Sequence, residues 1–229
     1  KLHGAQSLTI SGKNITNNGE TTGTGTTTIT ANNFTNNKEL SAQILTVTAT
    51  GDVVNNSELN GGTVSITGNN IQNNDLIAAA GDLTLKAANK VENKSGKTIF
   101  AGEKLSITGK EILNNENKLK ITEKVFDDDA IIFDDLKSEK VTIKNNKNSE
   151  LLGTNIELTA DKVRNEVGTI KAFNDITIKT DKFENIGEVK DLDKYESYYE
   201  TWDGKILSES EIGDWKRYYS ESSRKRSNG

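Results

Sequence analysis

Leu8-Thr9-Ile10-Ser11-Gly12-Lys13-Asn14-Ile15-Thr16-Asn17-Asn18 is the stretch whose reading decides the fold. An alternating strand comes first, then a polar turn, then an apolar residue followed two places later by asparagine. That closing signature returns as Ile15/Asn17, Phe34/Asn36, Val53/Asn55, Ile71/Asn73, Val91/Asn93, Ile112/Asn114, Val163/Asn165 and Phe183/Asn185. Subtracting successive asparagine numbers gives 19, 19, 18, 20, 21, 51 and 20. A fixed period near 20 residues means one supersecondary unit stacked many times. The single long gap implies an insertion.

Working outward from the signature, Leu8/Ile10, Thr28 with Ile29, Leu45/Val47, Val64/Ile66, Leu83/Leu85 and Leu105/Ile107 mark a first strand in each unit. Most alternate with Thr, Ser or Lys, the period-2 pattern of a half-buried strand. A third apolar position follows each asparagine: Leu40, Leu59, Ile77, Ile99 and Leu119. Three short strands per repeat predict an all-β parallel β-helix with a triangular turn. Six regular coils fill residues 1–115, Val141/Ile143 resumes the first strand, and regular coils return at 154–173 and 174–189. The total is about nine coils, or roughly 40–45 Å at the strand spacing of about 4.8 Å. Sustained i, i+3, i+4 apolar order is missing here, which argues against an α-solenoid. Proline is absent, and in an internal ladder it would delete a hydrogen bond wherever it stood.

Composition fits a thin rod better than a globule. Only 32% of the 229 residues are hydrophobic and 6% aromatic, enough for one narrow column of small aliphatics. The net charge of −5 gives no general electrostatic reason to expect nucleic acid. Without cysteine there is neither a disulfide framework nor a thiolate metal site. No apolar run approaches the length of about 18 residues that spans a membrane. The chain opens inside a repeat, so it reads as part of something longer.

Two stretches leave the template. Residues 123–139 carry Asp127-Asp128-Asp129, an apolar Ala130-Ile131-Ile132-Phe133 and Asp134-Asp135, and read as an insertion thrown out from one corner. Residues 190–229 hold all five tyrosines and both tryptophans. Asp203-Gly204 there is a hairpin signal, while Tyr195, Tyr198, Tyr199 and Trp202 at i, i+3, i+4, i+7 suit a short helix. The domain reading is therefore a β-helix over 1–189 and an aromatic cap or extension with a basic tail over 190–229.

The phrase Ala79-Ala80-Gly81-Asp82-Leu83-Thr84-Leu85-Lys86-Ala87-x-x-x-Val91-Glu92-Asn93 resembles the haemagglutinin repeats of filamentous haemagglutinin-type exoproteins. These large bacterial proteins of two-partner secretion include adhesins and contact-dependent growth inhibition effectors. The resemblance covers roughly residues 5–189. It implies a right-handed parallel β-helix, export through an outer-membrane two-partner secretion transporter by way of a region not in this chain, and a filament at the bacterial outer surface. It further implies a receptor on a host cell or neighbouring bacterium. Neither the insertion nor the aromatic end belongs to the repeat consensus.

Each asparagine of the signature lies two residues from a core apolar and so points inward. Stacked coils would place Asn17, Asn36, Asn55, Asn73, Asn93, Asn114, Asn165 and Asn185 about 4.8 Å apart, close enough for amide to bond amide. That reading is preferred to a sugar-binding stripe. Asp161 and Asp181 would be neighbours on stacked coils, a spacing used by retaining glycosidases. A lone pair without a cleft favours corner residues instead, so a polysaccharide-active enzyme ranks last. The consecutive aspartates lack the ordered spacing and glycine of a calcium loop. His3, the only histidine, cannot complete a nucleophilic triad. No catalytic, cofactor or metal residues are assigned. Ile131, Ile132, Phe133, Tyr198, Trp202 and Trp215 form the candidate interaction surface. The function expected is a non-enzymatic structural segment of a secreted, surface-displayed adhesin. The alternative is the receptor-binding part of a contact-dependent growth inhibition exoprotein.

Overall fold

The computed structural model describes residues 1–115, 119–126, 137–144, 148–187, 193–197, 199–200 and 206–207. The chain divides into two compact units: residues 1–117 with 145–189, and residues 118–144 with 190–229. The sequence reading puts 118–122 and 140–144 in the rod; their strands fall in the second unit instead. Among the described residues there is no helix long and apolar enough to cross a membrane.

The first unit is a β-solenoid of about eight turns built from parallel strands. Register follows the repeat. Ile10 pairs with Ile29, Ile29 with Val47, Val47 with Ile66, Ile66 with Leu85, and Leu85 with Ile107. On the second side Ile15 pairs with Phe34, Phe34 with Val53, Val53 with Ile71, and Ile71 with Val91. The third side stacks Thr21, Leu40, Leu59, Ile77 and Ile99. Like thus meets like, and the interior is a column of aliphatic layers. Leu40, Leu45, Val47, Leu59, Ile66 and Leu85 are completely buried, each contributing about 1.5–3 kcal/mol of burial free energy. Two places after the third-side apolar the inward residue is always small: Gly23, Ala42, Gly61, Ala79, Ala101, Gly153 and Ala172. The chain turns sharply there, and a Cβ added at Gly61 would come within 2.7 Å of Val64 Cγ2.

The long gap is resolved differently from the sequence reading. Leu119–Phe126 pairs antiparallel with Lys137–Lys144, and the latter also pairs antiparallel with Asp193–Ser197. Leu119/Ile121 is therefore not the third side of the sixth turn, and Val141/Ile143 does not begin a seventh. The third side of the sixth turn is Leu151, which pairs with Ile99 below and Ile170 above. The chain passes from the first unit to the second after Asn117 and returns at Asn145. The departure from the solenoid is thus longer than 123–139, and the rod has about eight turns rather than nine.

Corner lengths explain where this happens. From the ladder asparagine to the next third-side residue the count is four for Asn17–Thr21, Asn36–Leu40, Asn55–Leu59 and Asn73–Ile77. It is six for Asn93–Ile99, five for Asn165–Ile170 and thirty-seven for Asn114–Leu151. The other two corners vary by one residue at most. Asn115 (φ 65°), Val167 (φ 54°) and Gly96 (φ 70°) all lie at this variable corner, where left-handed backbone lets the chain reverse within few residues.

Candidate functional site

The chemistry common to every turn is its asparagine. Asn17 Nδ2 donates to Asn36 Oδ1 at 2.8 Å, Asn36 to Asn55 at 2.9 Å, Asn55 to Asn73 at 3.0 Å, and Asn73 to Asn93 at 2.9 Å. The column continues from Asn93 to Asn114 at 2.9 Å, Asn114 to Asn165 at 2.8 Å, and Asn165 to Asn185 at 2.8 Å. All seven bonds run in one direction, from each amide nitrogen to the oxygen of the next turn. The second amide hydrogen faces a backbone carbonyl at the corner of its own turn or of the next. Asn36 finds Glu58 O, Asn55 finds Leu76 O, Asn93 finds Lys97 O, and Asn165 finds Gly168 O. Each side chain therefore ties its turn to the next and fixes the corner between second and third strands. Asn36, Asn55, Asn73, Asn93 and Asn114 are at most 1% exposed, so a missing partner would cost about 1–3 kcal/mol each. Gly168 lies against this column, and a Cβ there would collide with the amides of Asn114 and Asn165.

Two further asparagine columns line the outside, and the sequence reading missed both. Asn37 donates to Asn18, Asn56 to Asn37, and Asn74 to Asn56, at 2.7–2.8 Å. Asn33 donates to Asn14 at 3.0 Å, Asn70 to Asp52 at 2.8 Å, and Asn89 to Asn70 at 2.8 Å. These bonds run the opposite way, from the later turn to the earlier. The doublets Asn17-Asn18, Asn36-Asn37, Asn55-Asn56 and Asn73-Asn74 carry the first of these columns. One member of each doublet faces in and the other out.

Charge enters in the later turns. Residues 1–73 contain seven Asp, Glu, Lys or Arg, whereas residues 74–115 contain eleven. Glu157 accepts from Lys104 at 2.7 Å and Lys179 at 2.8 Å, three turns joined by one carboxylate. The hydrogen bonds from those two lysines, and then their charges, hold its pKa down at about 2. Glu92 is buried between Lys90, at 3.1 Å, and Lys94. Burial works to raise its pKa, but hydrogen bonds and charge from Lys94 and Lys90 outweigh it and leave it below the ordinary value.

The haemagglutinin repeat matches residues 1–57, 61–125 and 139–182. The chain belongs to the haemagglutinin repeat family. No curated protein and no solved structure matches it. The haemagglutinin repeats make it a filamentous haemagglutinin-type exoprotein, a kind of adhesin-type protein that is typically secreted or surface-exposed through two-partner secretion, and the family is a non-enzymatic one. The match runs into two antiparallel strands of the second unit, at 119–125 and 139–144, so those stretches read as haemagglutinin repeat although they pair with each other.

Asp161 and Asp181, the pair weighed as an enzymatic alternative, are exposed on the last two turns, with the Asp181 N–H bonded to the Asp161 carbonyl. Among the described residues no group of three His, Cys, Asp or Glu is placed to hold a metal ion. His3 Nδ1 is 2.8 Å from Thr22 Oγ1 on an exposed surface. Ile131, Ile132, Phe133, Tyr198, Trp202 and Trp215 lie outside the described residues.

Proposed function

We propose that this chain is a stiff spacer within a surface-displayed filamentous adhesin, carrying a binding or effector region away from the cell. The observation behind this reading is the unbroken asparagine column from Asn17 to Asn185, which keeps its polarity across the long excursion between Asn114 and Asn165. A column that holds every turn to its neighbours suits a part that transmits length rather than one that opens for a substrate. Export through an outer-membrane partner and a receptor on a host cell or neighbouring bacterium follow from the same reading.

The test is a register-preserving deletion in the intact exoprotein. Removing residues 37–55 takes out one whole turn and leaves Asn36 to stack on Asn73. Display on the cell and receptor binding should survive, with reach shortened by about 4.8 Å per turn removed. Removing half a turn should abolish display. Loss of binding by a whole-turn deletion that is still displayed would show that these turns contact the receptor themselves.

A further inference from the structure

On the first side of the early turns a hydroxyl residue stands on either side of each buried aliphatic. Thr28 and Thr30 flank Ile29, Thr46 and Thr48 flank Val47, and Ser65 and Thr67 flank Ile66. Residues at i and i+2 of a strand share a face, here the outer one. The two columns run in register, Thr28 with Thr46 and Ser65, and Thr30 with Thr48 and Thr67. Thr9 and Ser11 extend both columns into the turn before. All of these side chains reach the surface. None of their hydroxyls has a hydrogen-bond partner among the described residues. Over these four turns neither column holds a charge or an aromatic ring. Charge arrives on this side only in later turns, with Lys86, Lys104, Glu157 and Lys179.

The parallel ladder sets the dimensions of this grid: about 4.8 Å from turn to turn and about 6.7 Å from i to i+2. Water joined tetrahedrally at an O···O distance of about 2.75 Å builds a lattice of similar dimensions, with second neighbours about 4.5 Å apart and a layer repeat of about 7.3 Å. Grid and lattice agree to within about a tenth in both directions. Each hydroxyl donates one hydrogen bond and accepts two, so it can take the place of a lattice water. The backbone holds the hydroxyls in position beforehand, which spares the ordering cost of binding. The charge pattern points the same way. A neutral grid has nothing to pair with an ionic ligand and no fixed charge to hold a hydration shell against a neutral solid. We infer that the early turns bind the surface of crystalline water, through the hydroxyl columns of Thr28 and Thr30, Thr46 and Thr48, and their neighbours. The spacer thereby has a face that attaches to ice, separate from any receptor-binding region it carries.

The experiment grows ice slowly in a dilute solution of the full chain and measures how the protein partitions between crystal and liquid. Enrichment in the crystal is expected, where a protein without a matching face is left behind in the liquid. The Thr46→Tyr, Thr48→Tyr double variant raises two rings from the middle of the grid and should lose the enrichment. Thr35→Tyr, outward on the second side between buried Phe34 and Asn36, should keep it. Melting curves verify that each variant is folded. Thr48→Tyr alone, at an exposed position, repeats the test if the double variant melts early. Exclusion of the unaltered chain from ice would overturn the inference, as would enrichment of a folded Thr46→Tyr, Thr48→Tyr or Thr48→Tyr variant equal to that of the parent. Retention on crystalline cellulose together with exclusion from ice would also overturn it and assign the grid to a sugar lattice.

Discussion

Asn114 donates an amide hydrogen to Asn165, 51 positions later, at 2.8 Å, within 0.1 Å of the bond that Asn93 makes to Asn114 over 21 positions. The second amide hydrogen of Asn114 faces Ser149 O at 3.3 Å, where the chain returns. The interruption therefore leaves the column undisturbed, and the column decides which residues form the next turn.

Asn93→Asp should be among the most damaging single substitutions. A carboxylate there would face Asn114 Oδ1, Lys97 O and Glu150 O, all acceptors, where the amide now donates. An uncompensated buried charge costs about 3–5 kcal/mol. Burial raises the folded pKa of the new acid, so the variant should approach wild type below the unfolded value of about 3.9 and lose stability as pH rises through the folded value. Urea melts at pH 3.5 and pH 7 measure this. Equal midpoints for variant and wild type at pH 7 would show that the column contributes nothing to stability.

Thr27 should be improved by replacement. It occupies a core position paired with Leu8 and Leu45, is fully buried, and its hydroxyl has no partner. Valine has the same shape without that group, so Thr27→Val should stabilise the solenoid by about 1–3 kcal/mol. A thermal melt no higher than wild type would count against the orphaned hydroxyl.

Residues 116–148 should be removable. Replacing them with a single glycine gives the Asn114 corner the same length, five residues, as the one from Asn165 to Ile170. Each doubling of loop length costs about 0.6 kcal/mol in closure entropy, so the shortened rod should be as stable as the parent or slightly more so. Circular dichroism and melting provide the check. Collapse of the strand signal would mean that the excursion supports the core.

Glu157 should titrate far below an ordinary glutamate. Its carboxyl is held at about 2 by Lys104 and Lys179. A depressed folded value stabilises above the unfolded pKa of about 4.3 and loses that contribution as pH falls toward 2. Glu157→Gln should remove this part of the acid sensitivity, and added salt should weaken the effect at so exposed a site. A carboxyl midpoint near 4.3 by NMR would show the two lysines to be elsewhere in solution.

Periodicity made most of the rod readable. Leu8/Ile10 and Ile15/Asn17 carry both the alternation and the spacing, and stacking turns them into pairs such as Ile10–Ile29 and Asn17–Asn36. The long gap misled because Leu119/Ile121 and Val141/Ile143 have the same local pattern as true solenoid strands. Their strand propensity is satisfied equally well by pairing with each other. What the segment lacks is an asparagine two residues after an apolar at the right distance from Ile143, so admitting it would leave Asn114 without its acceptor. The outer columns escaped notice for another reason. Asn-Asn doublets look like ordinary turn residues until two turns are laid side by side. The aromatic surface drawn from Tyr198, Trp202 and Trp215 has no repeat to constrain it, and such inference needs a partner residue to argue from.

The corner after each inner asparagine takes four, five, six or thirty-seven residues with the same stacking on either side. For the engineer it is a grafting port. An epitope, a fluorophore tag or a folded guest spliced between Lys94 and Lys97 would leave the rod with the rungs of Asn93 and Asn114 already aligned. For the lineage it is the joint where foreign sequence can be acquired without first inventing a new scaffold.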